Sequence, residues 1–239
     1  MMKKFLAALA VLVLSCPLAF ASDEITYKET RKAALDGDPA AQCNLGIMYF
    51  KGYKGVRQNY AEAVKWLKRS ANQGYGQAQY NLGTMYANGN GVTQDYSEAL
   101  KWYSKAADNG EPGAFYNIGF MYYEAQGLKP SYAEAMKYFR KAASFEDRDD
   151  EEVQGAKFMI GTMYMLGQGV KENHSEAAKW YRSAAENGLH QAQYNLAVMY
   201  DTGDGVIQDA EEAVKWMTLA AKNGNTDAQE KLTEAGLSW

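Results

Sequence analysis

Few residues of this chain have the types and spacing that catalysis or metal binding requires. The two histidines, His174 and His190, each lie near the start of a predicted helix, and neither has a second histidine at helical spacing. Three Gly-x-Gly tripeptides, at 89–91, 167–169 and 203–205, lack the third glycine of a dinucleotide fingerprint and connect two predicted helices. The motifs Ser-x-x-Lys and Gly-x-Ser-x-Gly are absent. We therefore expect no catalytic residue, no metal and no cofactor.

The N-terminus has the pattern of a secretory signal peptide. Met1–Lys4 is positively charged, Phe5–Phe20 is almost wholly apolar, and small residues precede a cleavage site after Ala21. About sixteen apolar residues is short of the roughly twenty that a membrane span needs. We expect residues 1–21 to be removed and the protein to be periplasmic or secreted. A lipoprotein anchored at Cys16 is the alternative, which we rank lower because the flanking residues fit a lipidation site poorly.

The net charge limits the classes of partner that we expect, and the cysteine content limits the disulfides that can form. The formal net charge is −4, and no basic run or basic helix face follows the signal sequence. We therefore expect neither nucleic acid nor an anionic membrane as a partner. Cleavage would leave Cys43 as the single cysteine, so the fold must be stabilised by packing without an internal disulfide. No stretch after the signal sequence is apolar enough to span a membrane.

A repeated pentapeptide predicts the elements that position these residues. It begins at Leu45, Leu82, Ile118, Ile160 and Leu196, at intervals of 37, 36, 42 and 36 residues. A fixed period in this range is typical of a solenoid, in which each unit must stack on its neighbours to bury its apolar face. The sequence therefore predicts an all-α protein, and it favours a binding surface over an enzyme.

The pattern of each repeat predicts a helix A, a glycine-rich turn and a helix B. In the copy at 74–109, helix A covers about Gln77–Ala87 and carries Gly83 within its apolar stripe. A glycine inside a helix costs about 1 kcal/mol against alanine, so its recurrence predicts the close approach of a neighbouring helix. Helix B begins at the N-cap Asp95, and Glu98 follows at the spacing of a capping box.

Three features of helix B recur in every copy. The predicted caps are Asn59, Asp95, Ser131, Asn173 and Asp209, each followed three residues later by a glutamate. Exposed lysines three residues after those glutamates are Lys65, Lys101, Lys137, Lys179 and Lys215. A column of large aromatic residues, which we interpret as core, comprises Trp66, Trp102, Tyr138, Trp180 and Trp216.

The repeats divide residues 22–239 into one predicted domain with a half-repeat at each end. The N-terminal half-repeat, 22–36, is a lone B helix, and a capping A helix occupies 224–239. Between them the five repeats are predicted at 37–73, 74–109, 110–151, 152–187 and 188–223.

The repeat strongly resembles the Sel1-like repeat, a relative of the tetratricopeptide repeat. The residues that carry the resemblance are Ala78–Tyr86, Gly89–Val92 and Asp95–Trp102. It implies a right-handed α/α superhelix whose A helices line the concave face, and a family of adaptors that assemble protein complexes. A cysteine-rich exported branch is associated with penicillin binding and β-lactam hydrolysis, but this mature chain has only Cys43.

By analogy with tetratricopeptide units, one strip of A-helix residues is predicted to face the concave side and bind an extended peptide. Its members are Tyr80, Asn81, Thr84, Tyr116, Asn117, Phe120, Tyr123, Phe158, Thr162, Tyr194, Asn195 and Val198. The alternative is that the tyrosine column packs between neighbouring A helices.

The longest interval between repeats holds an acidic insert within 144–153. Inserts in repeat proteins often lie on the binding face. We favour a solvated helix extension over a cation site or a site for a basic partner.

We expect an exported, non-catalytic, monomeric scaffold that binds a protein or peptide on its concave face. Two alternatives stay open: a β-lactam hydrolase or penicillin-binding protein of the cysteine-rich branch, and a peptidoglycan-associated envelope protein.

Overall fold

The computed structural model describes residues 27–53, 55–145 and 150–239, and within them it contains twelve α-helices and no strand. The helices are α1 (Tyr27–Leu35), α2 (Pro39–Lys51), α3 (Tyr60–Asn72), α4 (Gly76–Asn88), α5 (Tyr96–Asp108), α6 (Pro112–Tyr123), α7 (Tyr132–Ala143), α8 (Glu151–Leu166), α9 (His174–Glu186), α10 (His190–Thr202), α11 (Ala210–Lys222) and α12 (Thr226–Glu234). The expected all-α repeat class is confirmed. The predicted signal peptide and Cys16 lie outside the described residues.

The helices form two compact units, one up to Ile118 and one from Gly119, with the division inside α6. In the first unit each helix from α1 to α5 packs on the next, and in the second the same holds from α7 to α12. Such packing between neighbours in sequence is typical of repeat arrays. The single continuous domain stays a prediction.

All five predicted N-caps are confirmed, but the glutamate after each cap has a different role from the one expected. The Asn59 side chain accepts a hydrogen bond from the Glu62 backbone N–H, and the other four caps make the same bond. The Asn59 N–H donates to the carbonyl of Tyr49, at the end of helix A. The Glu62 carboxylate instead pairs with Lys65 at 3.0 Å, and this pair recurs in every repeat. Each cap therefore joins two helices.

The glycine inside helix A is explained by a side chain of the following B helix. A Cβ atom on Gly83 would lie 2.7 Å from Cδ1 of Tyr103. Equivalent contacts of 2.8–2.9 Å join Gly46 to Leu67, Gly119 to Phe139 and Gly161 to Tyr181. The predicted close approach is confirmed, and it is made by a side chain of helix B and, at Gly46, Gly119 and Gly161, also by a backbone carbonyl of that helix at 3.2–3.3 Å.

The Gly-x-Gly segments are turns, as predicted, and they also contact the preceding repeat. Gly89 ends α4 in the left-handed conformation, with φ of 70°. A Cβ on Gly91 would lie 2.6 Å from the carbonyl oxygen of Tyr60, in the previous B helix. The same approach joins Gly205 to His174. The second glycine is therefore required for stacking of successive repeats.

Both half-repeats are present in the described residues. Helix α1 buries Thr30 and Ala34, and α12 buries Ala228 and Leu232. The apolar faces of the adjoining repeats are thereby covered at both ends.

The acidic insert lengthens α8, but the extension is not fully solvated as expected. Helix α8 has 16 residues, whereas α4 and α10 have 13. Glu151 is exposed, while Glu152 and Val153 are buried because the added turn packs into the unit. Residues 146–149, which hold the rest of the insert, lie outside the described part of the chain.

Candidate partner-binding surface

Most of the predicted concave strip is buried. Three residues on α10, Tyr194, Asn195 and Val198, are half-buried. The buried members are Tyr80, Asn81, Thr84, Tyr116, Asn117, Phe120, Tyr123, Phe158 and Thr162. Peptide binding by the strip stays a prediction, and only the α10 residues have surface available for it.

Tyr80 packs between neighbouring A helices, which is the alternative that the sequence left open. A Cβ on Gly113, at the start of α6, would lie 2.8 Å from the ring of Tyr80. The Tyr80 ring also lies 6.0 Å from that of Tyr103, centroid to centroid. A tyrosine in this position therefore fills the space between two repeats.

The threonines of the strip are also engaged within the fold. Thr84 Oγ1 donates to the Tyr80 carbonyl at 3.2 Å and accepts from the Tyr103 hydroxyl at 3.1 Å. Thr162 lies in the same arrangement, 3.1 Å from the Tyr181 hydroxyl. Burial raises the pKa of Tyr181 to about 12, so its hydroxyl stays protonated. These bonds fix the B-helix rings against the A helices.

The asparagines of the strip differ in how well their amides are satisfied. Asn81 donates to the Cys43 sulfur at 3.8 Å. Asn117 is 2 % exposed, and neither its Nδ2 nor its Oδ1 has a hydrogen-bond partner among the described residues. Asn195 is half-buried. Because a buried amide without partners is costly, Asn117 destabilises the fold locally.

Half-buried Tyr194, Asn195 and Val198 form a ridge on α10, which we call the α10 ridge. The Tyr194 ring packs on the apolar cluster that joins α11 and α12. Lys231 Nζ lies 5.5 Å from the centre of the same ring.

The aromatic column of the B helices lies just below the surface and is covered by cations. Trp66, Trp102 and Trp216 are buried, whereas Tyr138 and Trp180 are half-buried. The core interpretation is thus confirmed for the first three. The cations over Trp66, Trp102 and Trp180 are Arg69, Lys105 and Arg140, respectively. Their Cζ or Nζ atoms lie 4.6, 4.2 and 5.8 Å from the ring centres. Sequence reasoning missed these cations, although for Arg69 and Lys105 a basic residue three positions after a tryptophan was a usable signal.

A family model described as the Sel1 repeat matches five segments of the chain: 39–75, 76–111, 114–144, 155–189 and 190–225. The chain belongs to the Sel1 repeat family. As a Sel1 repeat protein, it resembles the crystal structure of a Sel1 repeat protein from Oxalobacter formigenes. The TM-score is 0.76 and the identity 33 %, over 87 % of this chain and 88 % of that one.

Two further proteins that this chain resembles are longer than it. A protective antigen of uropathogenic Escherichia coli, c5321, has a TM-score of 0.77 and 35 % identity over 90 % of this chain and 45 % of its own. An F-box protein of Arabidopsis thaliana is 50 % identical over 52 residues, which are 22 % of this chain and 14 % of that protein. The chain therefore spans less than half the length of these two relatives.

The histidines of this Sel1 protein are engaged in contacts between repeats. His174 Nδ1 is hydrogen-bonded to Asp204, and its Nε2 lies 3.1 Å from a Glu172 oxygen. The bond to Asp204 is the main cause that raises the pKa of His174. Burial lowers the pKa of His190, which lies 3.3 Å from the Asn225 amide. Among the described residues, no group of three or more potential ligands could hold a metal ion.

A cleft and a buried thiol are two other features of the Sel1 protein that could bind or react. An open cleft of about 580 Å³ lies between α1 and the turn before α3, where the Tyr27 and Tyr49 hydroxyls are 3.0 Å apart. It contains no residue of the predicted strip. Cys43 is a fully buried thiol. Across the described ranges, every helix is too short or too polar to cross a membrane.

Proposed function

We propose that this protein is an exported, non-catalytic scaffold that binds a segment of another polypeptide. One observation carries the proposal: five Sel1 repeats account for most of the chain. Sel1 repeats typically mediate protein interactions, and stacked helix pairs offer an extended surface for that purpose. Residues 1–21 have the pattern of a signal peptide, which supports export.

The α10 ridge is the part of the predicted strip that we propose for binding. Tyr194 and Val198 offer half-buried apolar surface, and a tyrosine combines a large contact area with a hydroxyl. Asn195 is half-buried beside them and supplies an amide. An extended segment can pack on the two apolar side chains and hydrogen-bond to groups on the ridge.

Crosslinking and capture from envelope extract test this proposal. The bait is the chain from residue 22, compared with a Tyr194→Ala, Val198→Ala double variant. The matched control is Val214→Ala, Leu219→Ala, which truncates two exposed apolar side chains of α11 outside the ridge. We expect a specific partner with the native chain and the control, and its loss with the ridge variant, once circular dichroism shows that all three are folded. Equal capture by all three would exclude the ridge as the binding site.

Export is tested separately by expressing the full chain in an export-competent bacterium and sequencing the N-terminus of the product. A mature chain that begins at Ser22 supports secretion. A lipidated chain that begins at Cys16 supports the alternative anchor, and retention of Met1 contradicts export. Sedimentation of the mature chain with purified sacculi examines the peptidoglycan-associated variant of the proposal.

A further inference from the structure

Two arginines of the second unit occupy the same position in successive repeats. Arg140 on α7 and Arg182 on α9 each lie two residues after the aromatic residue of their B helix. Each reaches the tyrosine near the end of the following A helix. Arg140 Nη2 donates to the Tyr164 hydroxyl at 2.6 Å, and Arg182 Nη2 donates to the Tyr200 hydroxyl. The equivalent position in the first repeat is Lys68, which is exposed.

Aromatic rings hold both guanidinium groups in place. The central carbon of Arg140 lies 5.9 Å from the Tyr164 ring centre and 5.8 Å from that of Trp180. The corresponding carbon of Arg182 lies 5.5 Å from the Tyr200 ring centre. All three rings are half-buried, so they restrict the side chains without covering them. An arginine restrained in this way loses little further freedom when it binds a ligand.

The first-turn glutamate of each B helix in this unit is already paired with a lysine. The pairs on the three B helices of this unit are Glu134–Lys137, Glu176–Lys179 and Glu212–Lys215. Arg140 makes no ion pair with any residue that the structure describes. Arg182 has a weaker attraction to Glu212, whose pKa is lowered mainly by its hydrogen bond to Lys215. The Arg140 charge is therefore exposed and available to a carboxylate from outside the chain, although the formal net charge is −4.

The remaining donors suit carboxylates. A guanidinium has five N–H donors in a planar fork. The hydrogen bond to the tyrosine hydroxyl engages only the Nη2 group of each arginine. The fork matches a carboxylate with two parallel bonds. Two equivalent forks, one repeat apart, suit a chain that presents several carboxylates in succession.

We propose that Arg140 and Arg182, with Tyr164, Trp180 and Tyr200, form a docking surface for an Asp/Glu-rich segment of a partner polypeptide. This inference rests on the proposed scaffold function and specifies the chemistry of its partner. Because the whole chain is acidic, long-range attraction does not bring an acidic peptide to it. Binding therefore depends on the local fork geometry and weakens as salt rises.

Fluorescence anisotropy with a fluorescein-labelled octaglutamate peptide tests the surface on the full mature chain at low salt. We expect saturable binding that an Arg140→Gln, Arg182→Gln variant weakens by about tenfold or more, because two charge-assisted contacts are lost. The Lys68→Gln, Lys105→Gln variant removes the same net charge from exposed positions of the first unit. It should bind within about twofold of the native chain. Circular dichroism confirms that each variant is folded.

A second pair of measurements separates the fork from charge alone. Arg140→Lys, Arg182→Lys keeps both charges but loses the fork, so it should weaken binding nearly as much as the glutamine variant. Octaglutamine should not bind, and a single-stranded octathymidylate should bind more weakly than octaglutamate. The proposal is overturned if native protein shows no saturable binding, if the lysine control loses as much affinity as the arginine variant, or if octathymidylate binds as tightly. Partner capture through the α10 ridge is a separate assay, so either proposal can fail alone.

Discussion

Substituting Gly83 by alanine tests the explanation given for the glycine inside helix A. In an ordinary helix interior this change stabilises by about 1 kcal/mol, because alanine has the higher helix propensity. Here the added Cβ would lie 2.7, 2.8 and 3.2 Å from three ring carbons of Tyr103. That ring is buried, and its hydroxyl is bonded to Thr84. It cannot move away without breaking the bond or shifting α5.

The expected magnitude follows from these two opposing effects. Overpacking a well-packed core costs about 1–3 kcal/mol, and three contacts near or below 3 Å place this site in the upper part of that range. After the gain in helix propensity of about 1 kcal/mol, the free energy of unfolding should fall by about 1–2 kcal/mol.

The fifth repeat supplies the control for a double-mutant cycle. By repeat register, Ala197 occupies the position of Gly83, and Met217 occupies that of Tyr103. In a Tyr103→Met background, Gly83→Ala should therefore be neutral or stabilising, with a coupling energy of about 2 kcal/mol between the two sites. The reverse change, Ala197→Gly, should cost about 1 kcal/mol. Urea unfolding followed by circular dichroism measures all four. If Gly83→Ala alone leaves the midpoint unchanged or raises it, the packing explanation is wrong.

Three further predictions concern other parts of the fold. Asn117→Met should raise the free energy of unfolding by about 1–3 kcal/mol, because neither polar atom of the amide has a partner among the described residues and the fourth repeat carries the fully buried Met159 there. A lower midpoint in urea unfolding would contradict this. Trp102→Ala should cost about 3–5 kcal/mol, since the side chain is only 7 % exposed, and thermal unfolding would show it. The raised pKa of His174 means that its protonated form stabilises the fold below its ordinary pKa of about 6.5, and this contribution is lost as pH rises through the raised value. Asp204→Asn should lower that pKa in a histidine NMR titration, and an unchanged pKa would exclude Asp204 as its cause.

Much of the fold could be predicted because the repeats supply several independent signals for the same structure. The caps at Asn59 and Asp95 are short-range features, since a side chain bonds a backbone N–H only three residues away. The glycine at position 83 predicted a close contact but not its partner. Tyr103 lies twenty residues further on, and only the packing of α4 on α5 brings it to the glycine.

The candidate site was harder to predict because burial depends on the neighbouring repeats. Tyr80 and Tyr194 occupy the same position in their repeats, yet Tyr80 is buried and Tyr194 is half-buried. Tyr80 packs against Gly113 of a following A helix, and by repeat register the residue at that position in α12 is Asp227. A sequence pattern assigns both residues to one strip but cannot indicate which of them a neighbour covers.

The sequence by itself determined the repeat unit: its period, the two helices, their caps and the glycine turns, because these depend on contacts within a few residues. The tertiary structure alone decided how the units are joined and what remains accessible. Gln79 donates to the Ala71 carbonyl at 3.2 Å and accepts from Asn109 at 2.8 Å, which links α4 to the B helices before and after it. The surface contacts of Arg140 likewise reach into the following repeat. Such groups are far apart in the chain, and they meet only because stacking brings successive repeats together.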